Sequence, residues 1–112
     1  MAVSEFISEL TRDTYEEEVK RSELPVVVDF WGPRCAPCLA LLPEVEKLAQ
    51  EYSGRVKFCK VNCSQNRRLA VELKVMALPT FLFYKGGEVV AQLSGPDATK
   101  ENIKAKLEEL VR

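Results

Sequence analysis

Hydrophobic residues fall along the chain in two rhythms, and the switches between them lay out its elements. Phe6 to Leu10 has the length of a short first strand. The next segment, "TRDTYEEEVKRS", changes to helical spacing, with Tyr15 and Val19 four apart and Thr11 placed to cap it. Pro25 precedes "VVVDFW", a continuous β-branched and aromatic run that suits a strand covered on both faces. Leu39, Leu42, Val45, Leu48 and Ala49 return to three- and four-residue spacing and predict an amphipathic helix through about Tyr52. Pro43 lies inside it, where a missing N–H should kink the helix or strain its early turns. "RVKFCKVN" alternates as another strand, and "NRRLAVELKV" reads as a short helix. "PTFLFYK" and "EVVAQLS" flank Gly86-Gly87 as the two arms of a hairpin. The last segment, with Thr99 as its cap, carries Ile103, Leu107 and Leu110 on one helical face.

The order β-α-β-α-β-α-β-β-α predicts an α/β protein: a mixed central sheet with helices on both faces. At 112 residues the chain has the size of a single domain, residues 1–112.

Charge narrows the function. Formal net charge is -1, with acids and bases interspersed, so nothing provides an electrostatic grip on nucleic acid or an anionic membrane. No apolar run approaches the length of a membrane span. "MAVSEFISEL" carries acidic residues and no signal-peptide core, so the expectation is a cytoplasmic protein whose cysteines are mostly reduced. The chain has no histidine, which excludes Ser-His-Asp and Cys-His catalysis and any zinc site that needs imidazole.

The chemistry centres on "FWGPRCAPC", residues 30–38. Cys35 follows a central strand and opens a helix, where unpaired N–H groups and the positive end of the helix dipole stabilise a thiolate. A thiol brought from about 8.5 to about 7, a value known for one Cys-x-x-Cys protein rather than read from this sequence, raises its thiolate share at neutral pH from roughly 3% to about half. Cys38, one turn later, should be more buried. Cys35 is therefore expected to attack a substrate disulfide and Cys38 to resolve the mixed disulfide, with Pro37 stiffening the loop between them. Asp29 is the single charge inside "VVVDFW". There desolvation would raise its pKa, so it could take the proton from Cys38, while Lys60 in the neighbouring strand moderates the shift.

"VDFWGPRCAPC", a helix, "KVN", "LPTFLFYKGGEV" and Gly95 together resemble the thioredoxin family over nearly the whole chain. The resemblance implies a thioredoxin fold, with about five strands flanked by about four helices. It implies a protein disulfide oxidoreductase working through Cys35 and Cys38, with Pro79 as a cis-proline facing them. Leu78 and Thr80 would frame a substrate groove that Trp31 and Gly95 help to shape, and Asp29 and Lys60 fall on the family's buried acid and its lysine. Protein disulfides would be the substrates of a monomer recharged by a separate thioredoxin reductase, with no dissociable cofactor and no metal. The chain departs from the usual pattern at Arg34 and Ala36. Arg34 replaces a flat aromatic and sets a positive charge beside Cys35, so substrate or reductase preference should differ; Pro37 is kept, as in reducing members.

Cys59 and Cys63 complete a C-x2-C-x20-C-x3-C pattern close to zinc-ribbon spacing, yet a long amphipathic helix separates the pairs and Cys59 sits in an apolar strand. If residues 59–63 are extended, at about 3.3 Å each, those two cysteines lie beyond disulfide reach. The expectation is a core Cys59 and a Cys63 that begins a loop. Arg67-Arg68 reads as a solvated helix start, and "EEE" at 16–18 as an exposed helix face. The rival readings are a non-enzymatic interaction module for one partner and, more weakly, a four-cysteine metal protein.

Overall fold

The structure is a computed structural model describing residues 5–112; the first four residues of the segment read for a signal peptide lie outside the described residues. Five strands form one sheet: β1 (Ile7–Leu10), β2 (Val26–Trp31), β3 (Lys57–Asn62), β4 (Thr80–Lys85) and β5 (Glu88–Ser94), in the order β1-β3-β2-β4-β5. The β1/β3 and β3/β2 pairs are parallel, whereas β4 runs antiparallel to both β2 and β5. Helices α1 (Ala36–Glu51), α2 (Arg67–Glu72) and α3 (Lys100–Leu110) complete the frame with a π-helical turn (Glu16–Lys20) and a 3-10 turn (Gly95–Asp97). The mixed α/β sheet predicted from the periodicity is the one observed.

Both faces of β2 are buried, which is why its sequence shows no alternation. Val27, Phe81 and Phe83 face one cluster with Val45, Leu48 and Tyr52 of the α1 region and Ile103 and Leu107 of α3. Val26, Val28, Phe30 and Leu82 face the other, against Tyr15, Val19 and Leu69. In that second cluster the Tyr15 and Tyr84 hydroxyls meet at 2.8 Å, giving two buried polar groups a partner each.

The structure departs from the sequence expectation in three places. Thr11 does not cap a helix. Its N–H donates to Thr14 Oγ1 at 3.0 Å, within a turn, and the helical segment shrinks to the π turn. A short hydroxyl close to its own backbone favours such turns over helix interiors. Glu18 is not simply solvated, since it holds Lys57 Nζ at 2.7 Å. Leu39 is 43% exposed: the buried stripe of α1 runs Cys38, Val45, Leu48, Ala49, and Leu39 lies about 100° round the helix from Cys38. α1 continues through Pro43, which leaves the Leu39 carbonyl without its usual donor. Thr99 caps α3 as expected, accepting from the Asn102 N–H at 3.1 Å.

The hairpin turn demands glycine. Gly86 and Gly87 both have positive φ (63° and 82°), and a Cβ on Gly87 would lie 2.8 Å from the Lys20 carbonyl oxygen.

Candidate active site

Beyond the end of β2 at Trp31 the chain makes a turn, closed by the Cys35 N–H donating to the Gly32 carbonyl at 3.1 Å, and enters α1. Cys35 is the N-cap of α1, with extended backbone, and is joined to Cys38 by a disulfide across a Cα separation of 5.2 Å. The Cys38 N–H points at Cys35 Sγ from 3.2 Å. This is one of the helix's unpaired N-terminal donors, and it favours negative charge on that sulfur. Cys35 is half-buried, while Cys38 is only 2% exposed. The two sulfurs thus differ in access to an incoming disulfide.

Asp29 is 3% exposed, and its Oδ1 accepts no hydrogen bond from any described residue. Burial pushes its carboxyl up to about 7; Lys60 pulls back, and Glu9 pushes further up. Strand register explains the grouping. Glu9, Lys60, Asp29 and Phe81 lie opposite one another across four neighbouring strands, so their side chains share a face. It is the face of Val27, which α1 covers. Lys60 Nζ sits 3.9 Å from Glu9 and 5.7 Å from the Trp31 ring centroid. Asp29 and Lys60 are expected here from the sequence; Glu9 is not, and only its register opposite Lys60 brings it into the group.

The Leu78–Pro79 peptide bond is cis. The Pro79 carbonyl accepts from the Gly95 N–H at 2.8 Å, which ties the start of β4 to the end of β5. Thr80 is fully buried, and its hydroxyl donates to the Ala77 carbonyl beside Ser94 Oγ. Its side chain is therefore spent on closing the loop, and any groove contact there falls to the backbone.

Arg34, Cys35 and Leu78 line one open cavity of about 660 Å³. Gly32 and Pro33 of the same loop line it too, as do Cys63, Ser64 and Arg67 from a distant part of the chain, none of them an expected site residue. Ala36 and Pro37 are exposed in the first turn of α1, and neither they nor Trp31, Pro79, Thr80 and Gly95 line this cavity. Cys63 and Arg67 follow β3 just as Cys35 follows β2, so parallel pairing brings both loops to the same end of the sheet, beyond the C-terminal ends of the two strands. Local spacing carried no sign of that meeting.

Cys59 and Cys63 are free thiols. Cys59 lies in the core, where burial pushes it up to about 12. Cys63 is raised by partial burial and by Asp29. Among the described residues no three His, Cys, Asp or Glu side chains gather as a metal site, and no helix is long and apolar enough to cross a membrane.

A disulfide at the end of a mixed α/β sheet, with one sulfur half-buried and the other buried, suits thiol–disulfide exchange, and the fold and this site assign the chain to that class. Residues 6–109 match the sequence profile of the Thioredoxin family. A thioredoxin of Peptoclostridium acidaminophilum is 44% identical over 105 residues, covering 94% of this chain and 96% of the relative. One from Acetoanaerobium sticklandii is 39% identical over 103 residues, covering 92% and 98%. The thioredoxin C-2 of Corynebacterium nephridii is 41% identical over 93 residues, covering 83% and 86%. The chain belongs to the thioredoxin family: it is a thiol–disulfide oxidoreductase with Cys35 and Cys38 as its disulfide-forming pair.

Proposed function

We propose that Cys35 is the nucleophile, Cys38 the resolving thiol and Asp29 the proton acceptor in reduction of protein disulfides. The Cys35 thiolate attacks one sulfur of the substrate, forms a mixed disulfide and expels a substrate thiolate. Asp29, with its carboxyl near 7, takes the Cys38 proton. The Cys38 thiolate then attacks Cys35 Sγ, closes the intramolecular disulfide and releases the second substrate thiolate. Two electrons pass from dithiol to substrate, so no dissociable cofactor takes part, and a separate reductase restores the dithiol.

The observation that carries these roles is the Cys38 N–H on the half-buried Cys35 sulfur, with Cys38 itself buried. Trp31, Arg34, Ala36, Pro37, Leu78, Pro79, Thr80 and Gly95 form the substrate groove in this reading, supported by Arg34 and Leu78 sharing a cavity with Cys35. Lys60 tunes Asp29. We place the protein in the cytoplasm as a monomeric electron carrier, a setting consistent with its two free thiols.

The test is reduction of insulin by dithiothreitol with the native protein, Cys35→Ser and Cys38→Ser. Native acceleration that disappears in Cys35→Ser, with Cys38→Ser accumulating a covalent substrate adduct, supports the roles. An adduct in Cys35→Ser instead would reverse them. A native protein that accelerates nothing would direct the search to a single dedicated partner.

A further inference from the structure

Eight ion pairs neutralise basic side chains among the described residues, through Arg12, Arg21, Lys47, Lys57, Lys60, Lys100, Lys104 and Lys106. Arg34 and Arg67 take part in none of them. Both are exposed, and both line the cavity that holds Cys35, whose described lining contains no acidic residue. One guanidinium directly precedes the sulfur in the chain; the other opens α2 across the cavity. In a chain of net charge -1, the two cations left without a partner at this cavity stand beside the redox pair.

An apolar shelf adjoins them. A second groove shares Cys63, Arg67 and Leu78 with the first and adds Val71 and Met76, which are 75% and 92% exposed. A guanidinium presents a planar fork of donors that matches a carboxylate, and it is less strongly hydrated than an ammonium. A cleft carrying one sign of charge also raises the encounter rate with ligands of the opposite sign.

We infer that Arg34 and Arg67 select substrates: the protein prefers polypeptide disulfides whose cysteines are flanked by aspartate or glutamate. Arg67, whose sequence context reads as a solvated helix start, is on this view a specificity residue. The inference rests on the disulfide-reductase reading and adds the charge of the substrate to it.

The test uses three peptides that differ only in the two residues flanking one intramolecular disulfide, as Glu, Gln or Lys. Second-order rate constants for their reduction by the reduced native protein, Arg34→Gln, Arg67→Gln and the double variant are measured at low and high salt. Two exposed charge pairs support a Glu-over-Lys ratio of roughly tenfold at low ionic strength, falling to about twofold at 0.5 M salt. Each single variant should lower the ratio, and the double variant should bring it close to one. A native ratio near one at low salt overturns the inference while reduction of the Gln peptide leaves the reductase reading standing. A ratio that survives in the double variant overturns the assignment to these two residues. Failure to reduce any of the three peptides would sink the reductase reading and the inference together.

Discussion

Replacing Asp29 by Asn removes a charge from the interior and leaves the shape of the side chain almost unchanged, so the two proteins should differ mainly through one titration. Asp29 is 3% exposed and its carboxyl is raised from the ordinary 3.8 to about 7, first by burial. Between those two values the folded protein holds a proton that the unfolded chain has released. Stability therefore falls as pH rises through this window, at about 1.4 kcal/mol per pH unit for a single group, and the fall is complete above the folded pKa. The interval from 3.8 to about 7 makes the buried carboxylate cost about 4 kcal/mol at pH 8. Against ordinary domain stabilities of about 5–15 kcal/mol that is a large share.

The measurement is urea unfolding of the oxidised native protein and oxidised Asp29→Asn from pH 4 to pH 9. Subtracting one profile from the other cancels every group they share. The variant should be more stable by about 4 kcal/mol at pH 8, with the difference shrinking to near zero at about pH 4. Lys60 holds the carboxyl below where burial alone would put it, so Lys60→Gln on the native background should widen the gap at pH 8. Parallel profiles, or a variant less stable than the native protein at pH 8, would refute the claim that Asp29 is desolvated and carries its charge at a cost.

Two further outcomes follow from the core. Tyr15→Phe or Tyr84→Phe leaves one hydroxyl of the 2.8 Å pair buried without its partner, so each should cost about 1–3 kcal/mol in urea unfolding, while the double variant should lose less than the two singles together. Strict additivity would show that the hydroxyls do not depend on each other. Iodoacetamide at pH 8 on the oxidised protein should add one group, at half-buried Cys63, and spare Cys59. At a pKa of about 12, Cys59 has a thiolate share on the order of one part in ten thousand. Intact mass and peptide mapping would show this, and equal labelling of both thiols in the folded state would contradict the burial of Cys59.

Much of the architecture was legible before folding because it rests on short-range physics. A continuous β-branched run, a three-to-four-residue period, the glycine pair at 86–87 and a threonine ahead of the last amphipathic stretch are local properties, and they located β2, α1, the hairpin and the Thr99 cap. Cys35 and Cys38 were equally plain, since one helical turn is all that joins them. Where local propensity was weak, the reading missed: Thr11 makes a turn, and Leu39 falls outside the buried stripe. What the sequence by itself determined was therefore the order and type of the elements and the position of the redox pair. Only the tertiary structure decided the rest. Parallel register set Glu9, Lys60 and Asp29 in one row, and the crossovers after β2 and β3 brought Arg34 and Arg67 to one cavity. Such meetings depend on strand order and register, which arise from packing the whole sheet between its helices, and no local pattern in the chain encodes them.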